Sequence, residues 1–152
     1  MIDPIATVII YLTTTPELVA LEGRIAAKHK FGMTSDAGVT TDDRWTLGQQ
    51  ALRIQPAGGE ADIATPRATL DLTATCYGGS QQEAMAVALQ LTAACRRAGR
   101  TMVVTNVGTA LMYYVLVSSA PMFGFEPVGE ANGSDMVTLT LRTAIAECPV
   151  RD

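Results

Sequence analysis

The chain has 152 residues, a net charge of −4 and a pI near 4.9; 48% of its residues are apolar and only 17% charged. This length suits one domain that hides roughly 68–70% of its unfolded surface, so neither a disulfide nor a metal staple is needed. The 11 basic residues gather only at Lys28–Lys30 and at Arg96, Arg97 and Arg100, which excludes tight phosphate-driven binding of nucleic acid. Charged residues usually make up about a quarter of a soluble domain, so either the core is large or part of the uncharged surface is covered by partners.

Cys76, Cys95 and Cys148 form no CxxC pair, and His29 is the only histidine. No metal site is expected, and Cys76 and Cys95 read as packed thiols. The odd cysteine number suits a reducing compartment. Met1-Ile2-Asp3-Pro4 brings no basic stretch ahead of an apolar run, so no signal peptide is expected, and no apolar stretch approaches the length of a membrane span.

Asp3-Pro4 reads as a helix start, with Asp as N-cap and Pro at the first helical position. Ile5, Val8, Ile9 and Leu12 repeat at helical spacing. Thr13-Thr14-Thr15-Pro16 interrupts, and Thr15-Pro16-Glu17 restarts a short helix that ends at Gly23. From about 26 to 48 the composition gives turns without a period, and this loop is expected to be flexible or ordered by a partner. Trp45–Gln55 reads as a first strand, closed by a turn at Pro56-Ala57-Gly58-Gly59.

From Arg67 to Tyr77 the alternation is clear. Leu70, Leu72, Ala74 and Cys76 point one way, and Thr69, Asp71, Thr73 and Thr75 the other. Ser80 with Glu83 is a capping box. Gln81–Arg97 is the strongest helix, with Ala84, Val87, Ala88, Leu91, Ala94 and Cys95 as its core stripe and Gly99 as its stop. Strands are expected at Met102–Thr105, Thr109–Ser119 and Asp135–Glu147, the last with Val137, Leu139, Leu141 and Ile145 on one face. A second flexible or partner-ordered loop is expected over about 121–134. The expected architecture is α+β: a single domain over 1–152, a mostly antiparallel sheet of four to five strands packed by one long helix, with N-terminal helices.

No catalytic constellation emerges. Gly58-Gly59 and Gly78-Gly79 lack phosphate-loop spacing, no GxSxG elbow is present, and His29 sits between two lysines. Asp36, Asp42, Asp43, Glu60, Asp62, Asp71, Glu126 and Glu130 are scattered, and Asp42-Asp43 lacks a calcium-loop pattern. No enzyme activity, cofactor or metal is expected. Phe123-Gly124-Phe125, beside Met122, is costly if left wet; it either folds over the sheet or contacts another protein. The Asp71, Thr73 and Thr75 face suits a subunit contact or water. Trp45 completes the candidate contact set.

Asp3-Pro4-Ile5-Ala6, Thr15-Pro16-Glu17-Leu18 with Gly23-Arg24-Ile25, Ala51–Gly59, and Leu70–Gly78 followed by Ser80 and Glu83 occur in that order. Together with the closing strand Val137–Ala146, this order resembles the tail-terminator and tail-completion proteins of long-tailed phages. The resemblance covers most of the chain, except Lys30–Trp45 and Pro121–Gly133. It implies a virion protein assembled in the host cytoplasm as a homo-oligomeric, commonly six-fold, ring. Such a ring caps the tail tube at the neck, binds the tail-tube protein and the head-closure or connector protein, and lets DNA through its lumen without specific binding. A head-closure or tail-tube protein is the neighbouring alternative, and a small-ligand-binding α+β domain the alternative of another class.

Overall fold

A computed structural model describes residues 4–21, 24–27, 45, 49–62, 67–105, 108–128 and 132–147. Helix α1 spans Pro4–Thr14 and buries Thr7, Val8, Tyr11 and Leu12. The three threonines at its end do more than interrupt the periodicity. The hydroxyls of Thr13, Thr14 and Thr15 donate to the carbonyls of Ile9, Tyr11 and Leu12 at 2.7–2.8 Å; the last two bonds satisfy carbonyls that a helix end leaves open. A 3₁₀ helix follows at Pro16–Leu21 and buries Leu18 and Leu21. Arg24 then fastens this corner, donating through Nε to the Gln50 carbonyl at 2.7 Å and through a terminal nitrogen to that of Ala20 at 2.9 Å.

Strand β1, Ile25–Ala26, runs parallel to β2, Ala51–Asp62, pairing Ile25 with Leu52. β2 and β3, Arg67–Gly78, form a long antiparallel hairpin. Helix α2, Gln81–Arg97, carries the capping box: Glu83 N–H donates to the Ser80 hydroxyl, and Gly79 N–H to the Glu83 carboxylate at 2.9 Å. Its buried residues are Ala84, Val87, Ala88, Leu91, Ala94 and Cys95, the stripe its periodicity predicts. β4 (Thr101–Thr105), β5 (Gly108–Val117), β6 (Met122–Val128) and β7 (Asn132–Glu147) complete the chain.

The sheet has seven strands in the order β1-β2-β3-β7-β5-β4, with β6 attached to β7. The expected sheet of four to five mostly antiparallel strands under one long helix is therefore overturned: the described chain is mostly β, and the parallel β1–β2 pair makes the sheet mixed. The unexpected strands are β1 and β6, and β2 runs further than expected. Pro56–Gly59 is not a turn; β2 runs through it with a bulge between Pro56 and Gly58, where Gly58 takes φ 120°. A bulge on an outer strand tolerates both a residue without an N–H and a positive φ. Residues 121–134 are not a loop either, since Met122–Val128 pairs with Asn132–Thr138. The first strand starts at Ala51 and not at Trp45, which is an isolated bridge residue. The expected loop over 26–48 lies almost wholly outside the described residues.

The helical segments share one face of the sheet. A continuous cluster joins Val8, Leu12, Leu18 and Leu21 to Val87 and Leu91 of α2 and to Leu72, Ala74, Cys76, Val137, Leu139 and Leu141 of the central strands. Two contacts tie helix to helix across it. The Tyr11 hydroxyl donates to the Ala94 carbonyl at 3.2 Å, and Arg97 pairs with Glu17 at 3.0 Å.

Where β3 hands over to α2 the backbones nearly touch. A Cβ on Gly78 would lie 2.6 Å from the Ala84 nitrogen and 2.8 Å from the Glu83 carbonyl carbon, whereas one on Gly99 would meet nothing within 4 Å. Gly78→Ala is expected to destabilise the fold by about 1–3 kcal/mol, the usual cost of forcing extra volume into a packed site. Gly99→Ala should be neutral or stabilising by up to about 1 kcal/mol. Urea denaturation of the two variants beside the parent chain checks both.

Candidate functional site

β7 carries different neighbours on its two edges. β3 follows one edge from Asp135 to Ala146. The other is shared: β5 pairs with Leu141–Glu147 and β6 with Asn132–Thr138. β5 and β6 are thus two halves of one broken strand, and Ser118–Pro121 is the break. Serine side chains and backbone bridge the gap: Ser118 N–H donates to the Thr140 carbonyl at 2.8 Å, and Thr140 N–H to the Ser119 hydroxyl at 2.8 Å.

Both backbone groups of Thr140 therefore point toward the β5–β6 side. Backbone direction alternates along an antiparallel ladder, so Thr138, Met136 and Ser134 also face β6 and meet Met122, Gly124 and Glu126. The backbone groups of residues 121, 123, 125 and 127 then point away from the sheet. Pro121 and Pro127 have no N–H, the form in which proline is tolerated on a sheet edge. Among the described residues, the outward donors of this edge are the N–H groups of Phe123 and Phe125. β4 pairs only with Gly108–Met112 of β5, and among the described residues β6 pairs only with β7.

The side chains there are apolar and wet. Met122 is 70% exposed, Phe123 55% and Phe125 57%. Phe123 is in register with Val137, a core residue, and so lies on the helix side of the sheet. There it lines an open groove of about 440 Å³ with Gln81, Gln82, Met85, Ala86 and Leu89 of α2. Leu89 is also exposed. It stands off the α2 core stripe, and that departure from amphipathic spacing was the signal available for it. Met122 is in register with Thr138, on the opposite face. That face also carries exposed Met102, Val104 and Leu116. These residues sit in continuous apolar runs, which read as strands buried on both sides, so sequence reasoning passed over them.

The remaining candidate contacts fall elsewhere. Trp45 is a correction: it is only 2% exposed and forms a second small cluster with Ala51 and Tyr77, its ring 6.3 Å from that of Tyr77. Thr75 is likewise buried at 2% and offers no contact surface. Asp71 is engaged with Arg142 of β7 at 3.0 Å, and Thr73 is half-buried. Of the sequence-derived set, the structure brings together Met122, Phe123 and Phe125.

Among the described residues no group of three His, Cys, Asp or Glu side chains converges, and no helix is long and apolar enough to cross a membrane. His29 and the Asp42-Asp43 pair lie outside the described residues. What the β6 edge can do chemically is offer strand hydrogen bonds and bury apolar surface. No family model matches the chain, and no curated protein matches it.

The two described thiols belong to the core. Burial pushes Cys76 and Cys95 from 9.0 up to about 12, Cys95 adding to the rise at Cys76. A thiol held protonated by the fold but free to ionise in the unfolded chain stabilises the fold below pH 9. That contribution is lost as pH rises from about 9 toward about 12. Stability measured by denaturant is expected to fall across that window. In a Cys148→Ser background, a thiol reagent at pH 8 should label the protein only as fast as it unfolds; rapid labelling would show an open thiol.

Proposed function

We propose that this chain is a structural subunit of the head–tail neck of a long-tailed phage, forming a ring that caps the tail tube and joins it to the capsid connector. The observation that carries the reading is the β6 edge: a strand held by β7 along one side only among the described residues, with three exposed large apolar side chains. Such a strand invites pairing with another chain, and exposed apolar groups beside it favour association over solvation. The low charge content and the order of segments shared with tail-terminator proteins support the same reading. The partners in this role are further copies of the chain, the tail-tube protein and the connector or head-closure protein. A closed ring is built from head-to-tail contacts between two different patches of each subunit, and the bare sheet face around Met102, Val104 and Leu116 offers apolar surface for such contacts apart from the β6 edge. A net negative charge suits a lumen along which DNA slides without sticking.

Negative-stain imaging and native mass measurement of the purified protein test the proposal. Closed rings that stop the growth of tail tubes are expected. Long filaments of the chain alone would make it a tube subunit, and a monomer at every concentration, with or without tubes, would overturn the role. Phe123→Ser with Phe125→Ser should abolish assembly while shifting the melting temperature by no more than a few degrees. Leu91→Asp should do the reverse and unfold the domain, because it places an unpaired charge in the core.

A further inference from the structure

The β6 window reads Pro121-Met122-Phe123-Gly124-Phe125-Glu126-Pro127. About Gly124 it is close to a palindrome: proline mirrors proline, and phenylalanine mirrors phenylalanine. We infer that β6 pairs antiparallel with β6 of a second copy, about a two-fold axis through Gly124. The inference rests on the reading of β6 as an assembly surface, though not on the neck role.

Self-complementarity of the edge carries the argument. In this register Phe123 stands opposite the partner's Phe125, and Phe125 opposite the partner's Phe123. Their outward N–H and C=O groups are the ones left free by the β7 ladder, so every free donor of the window meets an acceptor. Pro121 falls opposite the partner's Pro127. Neither brings an N–H, so no donor is stranded where the pairing ends, and the prolines stop the ladder from running on.

The side chains match as well. Residues directly opposite in an antiparallel pair project to the same face. The partner's Phe125 therefore arrives on the helix side, beside Phe123 and over the groove lined by Met85, Ala86 and Leu89. The groove that is open in one chain is closed by a ring from the other. Gly124 meets the partner's Gly124 on the axis. A Cβ there would meet only the flexible Met136 side chain, its terminal methyl at 2.8 Å.

Cross-linking of the full chain tests this directly. Residues opposite each other between hydrogen-bonded pairs stand about 4.5 Å apart at Cα, within disulfide reach. In a Cys148→Ser background, Gly124→Cys is expected to run as a covalent dimer after mild oxidation, while the background alone stays uncross-linked. Phe123→Pro removes an outward N–H without touching the β6–β7 ladder. It should weaken self-association about tenfold or more with the melting temperature within a few degrees, whereas Phe123→Leu should keep most of the association. Rings or larger particles that form while Gly124→Cys stays uncross-linked would overturn the two-fold pairing and leave the assembly surface standing. A chain that is monomeric throughout would overturn both.

Discussion

The fold hangs on the hydrogen-bond ladder of β7. At 16 residues it is long enough to hold β3 along one edge and two consecutive strands along the other. Its odd-numbered side chains, Val137, Leu139 and Leu141 among them, supply the centre of the core. Its even-numbered backbone groups, through Thr140, hold the Ser118–Pro121 break in place. Without that ladder β6 would have no neighbour, and the hairpin it makes with the start of β7 would be marginal in water.

Placing every helical segment on one face has a consequence for the other. The helix face is covered by α1, the 3₁₀ helix and α2, tied together by the Tyr11 and Glu17–Arg97 contacts. The opposite face is closed around Trp45, Ala51 and Tyr77 and bare toward Met102, Val104, Leu116 and Met122. On the proposed reading, this bare apolar surface beside the β6 edge is what association would cover. Burial on association repays what folding alone leaves exposed.

Much of the sequence-level reading rests on short-range rules, and those rules held where local geometry decides. The α2 stripe follows from a 3.6-residue period, its start from Ser80 and Glu83, and the β3 faces from a period of two. They failed where a distant partner decides. Pro56-Ala57-Gly58-Gly59 has turn composition, yet β3 holds it in a strand, because an outer strand can absorb a bulge and lacks any need for the proline N–H. Met122–Val128, with a glycine and a proline of its own, resembles a loop until Asn132–Thr138 is laid beside it. Trp45 sat in a stretch without periodicity, so nothing local announced that Tyr77 and Ala51 would bury it.

The amino-acid order by itself determined the helices, the capped start of α2 and the core-facing rows of β3 and β7, because each depends on residues within a turn or two of one another. It also determined that Phe123 and Phe125 would be expensive to leave in water. Only the tertiary structure decided that those aromatics sit on a paired strand with a free outer edge, that Thr75 and Trp45 are buried, and that the sheet is mixed. Strand pairing joins residues far apart in the chain, and the alternation that makes a group face inward or outward is set by the neighbour across the ladder.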